Sequence, residues 1–174
     1  MRFIPHRKNI HLYVCTLDVC TYICNMKIEE AIKQKKFKSE FHRLAVNIIY
    51  TANWLNSNHN SLLKKHSISL QQFNILRILR GQHPKPATVN LLIDRMIDKM
   101  SNASRIVDKL ILKGLVERTV CPEDRRAVNV LITAKGLKLL SKLDDEMEEM
   151  EESMKTLTQK EAKQLSDLLD KLRG

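Results

Sequence analysis

The side chains best suited to chemistry lie in one run, Ser101-Asn102-Ala103-Ser104-Arg105-Ile106-Val107-Asp108-Lys109-Leu110. Ala103, Ile106, Val107, Leu110 and Ile111 recur at spacings of three and four, which defines one apolar face of a helix. Asn102, Ser104, Arg105, Asp108 and Lys109 then fall on the other side. Those types suit an extended polar partner: Asn can pair with adenine, Arg with guanine or phosphate, and Ser with a base or the backbone. For Asp108 and Lys109, simple solvation of a helix surface explains the residues equally well. Further along, the polar turn Pro122-Glu123-Asp124-Arg125-Arg126 offers two more cations beside one acid.

Other chemistries find no support. The sequence contains no glycine-rich phosphate loop, metal-ligand cluster or nucleophile signature, and His42, His59, His66 and His83 read as helix or loop residues without paired acids. No enzyme activity, cofactor or metal is expected. Cys15, Cys20, Cys24 and Cys121 are too few and too unevenly spread for a disulfide framework, so a reducing, cytoplasmic setting is expected. Their C-x4-C-x3-C spacing is not the C-x2-C knuckle of structural zinc. Cys121 reads as a buried, inert strand residue, and a cysteine-based redox-sensing regulator is the alternative. Trp54, Met96 and Met100 read as core rather than as the lining of a ligand cavity.

The elements that position the polar run can be read in order. Four glycines and four prolines in 174 residues disfavour an all-β fold, and no uncharged apolar stretch is long enough to span a membrane. Spacing of apolar residues predicts a long amphipathic helix from Ala31 to Leu55, broken by Asn56-Ser57-Asn58-His59-Asn60, with a short helix over Ser61–His66. Ser69 and Gln72 form a capping box, with Ile68 and Phe73 as its hydrophobic staple, for a helix ending at Gly81 and the Pro84-Lys85-Pro86 turn. Thr88 starts a short helix. Ser101 is expected to cap the polar helix Ser101–Lys113, which Gly114 ends as a C-cap. Leu115–Cys121 and Val128–Ile132 form a hairpin. A long helix follows through Leu137, Leu140, Leu143, Met147, Met150 and Met154, and Thr158 with Glu161 caps a last helix through Leu165, Leu168, Leu169 and Leu172.

Residues 1–25 stand apart. Arg2, Arg7 and Lys8 precede an apolar stretch, but His11 and Asp18 interrupt it and no small-residue cleavage site follows, so secretion is rejected. They are expected to be a poorly ordered extension or the product of an over-long gene model, with Met26 a natural start.

Two short helices followed at once by a hairpin make a winged helix-turn-helix, whose second helix fits a major groove while the hairpin reaches the backbone or minor groove. The fold class is therefore mainly α with a small β-hairpin. Residues 26–60 and 134–174 supply dimerisation helices and residues 61–133 the winged helix-turn-helix. Ser101–Leu110 with Lys113-Gly114-Leu115-Val116-Glu117-Arg118 resembles the recognition helix and first wing strand of the MarR (multiple-antibiotic-resistance regulator) family. Asp124–Gly136 resembles that family's D-x-R, V-x-V, T-x-x-G run.

The resemblance implies a dimeric bacterial transcription factor. It would usually be a repressor of a pseudo-palindromic, double-stranded DNA operator, released by a small-molecule effector. DNA contacts are expected from Ser101, Asn102, Ser104, Arg105, Lys109, Arg125 and Arg126, and the resemblance implies that Arg126 meets the DNA while Asp124 holds the wing. A winged-helix protein-interaction module is the competing class, but it would need no outward Asn/Ser/Arg set. The exposed Leu137–Met154 and Leu165–Leu172 stripes also favour a homodimer.

Charge agrees with this layout. Of the net +10, residues 1–84 carry 13 basic and 4 acidic side chains, residues 85–133 carry 9 and 6, and residues 134–174 carry 8 and 10. An excess of cations favours a polyanion. The acidic run Asp144–Glu152 must avoid a phosphate backbone and reads as a solvated helix face.

Overall fold

The computed structural model describes residues 26–120, 128–152 and 155–174. The chain divides into two compact units, Met1–Leu55 and Asn56–Gly174. In the first, a single turn, α1 (Ile28–Ala31), precedes the long helix α2 (Glu40–Lys65), which continues into the second unit. Arg43 on α2 lies 2.6 Å from Glu29 on α1.

Two expectations are corrected here. The long helix starts at Glu40, where Ser39 Oγ accepts the His42 amide, and not at Ala31. It also runs unbroken through Asn56–Asn60, so no separate helix covers Ser61–His66. Asn and Ser each cost at most about 0.7 kcal/mol in a helix. Buried Leu62 and Leu63 just beyond the run anchor the continuing helix in the core, and packing outweighs propensity.

In the second unit, α3 (Leu70–Gln82) opens on the expected capping box: Ser69 Oγ accepts the Gln72 amide and Gln72 Oε1 accepts the Ser69 amide. Ile68 and Phe73 are both buried, as a staple requires. Next come β1 (Ala87–Thr88), α4 (Val89–Arg95) capped by Thr88, α5 (Ala103–Leu112), β2 (Val116–Val120), β3 (Val128–Ile132), α6 (Ala134–Glu152) and α7 (Gln159–Arg173). The second capping box, Thr158 with Glu161, opens α7.

The sheet is antiparallel with order β1-β3-β2. Arg118 on β2 and Ala87 on β1 both pair with Val130. The two-residue β1 was not expected; it is too short to carry a period-two pattern. Around the sheet, Leu63, Leu76, Leu79, Leu92, Leu110 and Leu143 are fully buried in one core. Met96 belongs to that core, whereas Met100 is 94% exposed and Trp54 half-buried, so the expectation of three core residues holds fully for Met96 alone.

The acidic helix differs from expectation in two respects. Leu140 and Leu143 are buried against the chain's own core, so the α6 stripe is largely satisfied without a partner. The acids are also not merely solvated. Glu146 lies 2.9 Å from His66 at the end of α2, and Asp144 receives two bonds from the Arg80 guanidinium, at 2.6 and 3.0 Å.

That guanidinium holds the Asp144 carboxyl below the usual carboxylate range. A carboxyl whose folded-state pKa is depressed stabilises the fold above its unfolded pKa and loses that contribution as pH falls through the folded value. Asp144→Asn should therefore lower the urea midpoint at neutral pH and converge with wild type at a pH below the folded value. A difference that persists at that pH would assign the effect to packing. Both side chains are about one-third to one-half exposed, so the effect is small.

Candidate nucleic-acid interface

Helix α5 is built to present one face. Ala103, Val107 and Leu110 are buried, with Ile106 and Ile111 packed against the same core. Ser104, Arg105, Asp108 and Lys109 are exposed. Its end is a Schellman arrangement: the Leu115 amide reaches the Leu110 carbonyl, the Gly114 amide reaches Ile111, and Gly114 takes φ +68°.

The helix starts one residue later than the expected cap. Asn102, not Ser101, is the N-cap, its Oδ1 accepting the Arg105 amide at 3.1 Å. Ser101 is diverted because its hydroxyl donates to Asp98 Oδ2 at 2.5 Å, while Asp98 Oδ1 accepts the Met100 amide. The Ser101 hydroxyl, followed by the Met100 amide, holds the Asp98 carboxyl below its usual range. Asn74 on α3 secures the same turn, accepting the Ile97 amide at 3.1 Å. Asn102 thus spends its oxygen on the helix, and pairing with adenine would require that oxygen to serve both partners.

The outer face has two rows. Toward the wing, Asp108 receives a 2.5 Å bond from Arg118 on β2, which ties helix to strand. Toward α3, Ser101, Arg105, Lys109 and Lys113 succeed one another at four-residue intervals, the spacing of neighbours along a helix surface. Lys113 is committed to structure: its Nζ donates to Gln72 Oε1 at 2.9 Å and also to the Ser67 carbonyl. This clasp fastens the end of α5 to the start of α3 and satisfies Gln72, a buried polar side chain 5% exposed.

An open groove of about 810 Å³ runs along this row, between α5, the start of α3 and the last turns of α2. Its lining includes Lys64, Arg105, Lys109 and Lys113 but, among the described residues, no Asp or Glu. Ser101, Asn102, Arg105 and Lys109, all expected site residues, meet there, while Ser104 lies outside it. Asp124, Arg125, Arg126 and Cys121 lie outside the described residues. Sequence reasoning missed Lys64, Gln72 and Asn74 because their significance comes from neighbours distant in the chain.

Comparison with known proteins places these features in context. The sequence model of the MarR family matches residues 68–128. The chain is 28% identical over 114 residues to the HTH-type transcriptional repressor IacR of Pseudomonas putida, an alignment covering 65% of this chain and 67% of that protein. A solved MarR transcription factor from Planctomyces limnophilus is 30% identical and superposes with a TM-score of 0.60, covering 78% of this chain and 98% of its own. The S. aureus MepR–DNA complex shares the fold, with a TM-score of 0.68 at 22% identity over 74% of this chain and 94% of that one.

Proposed function

We propose, because the chain belongs to the MarR family of winged helix-turn-helix transcriptional regulators, that it is a cytoplasmic, dimeric repressor of a pseudo-palindromic operator. One observation carries the proposal: α5 buries an aliphatic face in the core and turns Ser104, Arg105 and Lys109 outward, as a helix that reads a major groove must. Ser101, Asn102, Ser104, Arg105 and Lys109 contact DNA in this scheme, and Arg125 and Arg126 contact it from a wing held by Asp124. The solved complex of the fold-sharing MepR with DNA lends support.

Selection of bound sequences from random duplex DNA tests the proposal. The expected product is an inverted repeat with half-site centres about 10 base pairs apart, one helical turn. Absence of any enriched motif would reject sequence-specific binding.

Dimerisation rests on α7. This 15-residue helix has no buried residue, and Leu165, Leu168 and Leu172 are exposed along it. Helices of about 12–15 residues are marginal in water without packing, so this one needs a cover. A second copy supplies it in this proposal. The native protein should elute from gel filtration at twice its 20.2 kDa chain mass, and Leu165→Glu with Leu168→Glu should shift it toward monomer. A wild-type monomer would remove the dimer.

A small-molecule effector would then act by changing the separation of the two recognition helices, favouring one dimer geometry over another.

A further inference from the structure

We propose that the groove beside α5 is a phosphate seat, formed by Lys64 of α2 together with Arg105 and Lys109 of α5. Its occupant is the DNA backbone bordering the major groove that α5 enters. The inference rests on the DNA-binding function proposed above and adds Lys64, on the last turn of α2, to the contact surface.

Four cations converge on the groove, and no acid among the described residues lines it. Lys113 is spent on Ser67 and Gln72. Lys64, Arg105 and Lys109 have no ion-pair partner among the described residues, and all three are exposed. Like charges gathered on one surface repel, so an anion entering between them is favoured twice, by direct attraction and by relief of that repulsion. The chemistry of the lining narrows the anion. A pocket for an aromatic or aliphatic effector is walled mainly by apolar side chains. Among the described residues, Ile68 and Ile106 are the only large apolar ones in the lining, beside serines, amides, an arginine and lysines. The site is therefore suited to an oxyanion with little apolar body. At about 810 Å³ and open along its length, it accommodates a run of backbone better than a single ion. Its position along the Arg105–Lys109 row sets it beside any strand flanking α5.

The test uses the full chain and its selected operator, with binding followed by fluorescence anisotropy across a salt series. Each backbone contact contributes about 0.9 to the slope of log affinity against log salt. For a dimer with two seats, Lys64→Gln should flatten that slope by about two units. The loss of affinity between about 50 and 200 mM salt should then be about tenfold smaller than for wild type. The preference for operator over scrambled DNA should stay unchanged, because a phosphate carries no sequence information. Asn60→Asp, which places a negative charge in the same groove without removing a lysine, should weaken binding in the same direction and guards against a folding defect peculiar to Lys64→Gln.

Operators carrying one uncharged methylphosphonate at successive positions locate the contact. At one position per half-site, the Lys64→Gln penalty should vanish. Titration with inorganic phosphate supplies the other arm. If phosphate saturates the groove while no methylphosphonate position removes the Lys64 effect, the seat serves a free anion and the backbone assignment is overturned. If wild type binds the operator and both variants keep its affinity and slope, the seat is overturned while the DNA-binding proposal stands. If wild type binds no DNA, the DNA-binding proposal fails and this one with it.

Discussion

Replacing Arg105 by alanine is expected to weaken operator binding by about 1–3 kcal/mol per half-site, while unfolding free energy stays within about 0.5 kcal/mol of wild type. The stability claim follows from position. The Arg105 side chain is exposed, and only its amide, which alanine retains, bonds to the Asn102 cap. The binding claim follows from its place in the first turn of α5, directly after the buried Ala103 and the exposed Ser104 that start the helix. Two outcomes identify what the guanidinium touches. If it grips guanine, discrimination at one base pair per half-site relaxes. If it grips a phosphate, all sequences lose affinity alike and the salt slope falls. Unchanged affinity and slope would remove Arg105 from the interface.

Gly136→Ala is expected to be strongly destabilising, costing about 3 kcal/mol or more and lowering the urea midpoint accordingly. A Cβ at Gly136 would lie 2.3 Å from the Leu115 carbonyl oxygen and 2.7 Å from Ile132 Cγ1. The first is backbone, held by the bond from the Thr133 amide to that same oxygen, and cannot rotate away. Thr133 completes the junction: its hydroxyl donates to the Gly114 carbonyl at 2.8 Å and accepts the Gly136 amide at 3.1 Å. The T-x-x-G pattern is thus a crossing point where the start of α6 passes against the end of α5. A variant with a wild-type urea curve would show that this crossing can open. Gly81, by contrast, has no atom within 4 Å of an added Cβ and serves as the control for loss of glycine itself.

What the sequence revealed and what it concealed divide along a physical line. Ser69 with Gln72, Thr158 with Glu161, and Gly114 were legible because each acts on backbone within a turn of itself. The aliphatic face of α5 was legible because helical period and burial coincide. The cap of α5 was misassigned by one residue: Ser101 and Asn102 are both good caps, and a contact to Asp98 decides between them. The Asn56–Asn60 run misled because propensity is worth tenths of a kcal/mol where core packing is worth several. The Lys113–Gln72 clasp and the Lys64 side of the groove join residues about forty positions apart, and no local pattern announces such a meeting.

The oxygen that Asn102 spends on the Arg105 amide also limits how copies of this protein can diverge. After gene duplication, a new operator preference would be reached most readily by changing Ser104, Arg105 or Lys109, since none of these side chains has a bonded partner among the described residues. Asn102 is confined to the few residues that can cap a helix, because others cost about 1 kcal/mol before any DNA is met. Asp108 can change only together with Arg118 on the neighbouring strand. The descendants of this chain therefore have a short alphabet with which to acquire new binding sites, and most of its letters lie on one turn and a half of α5.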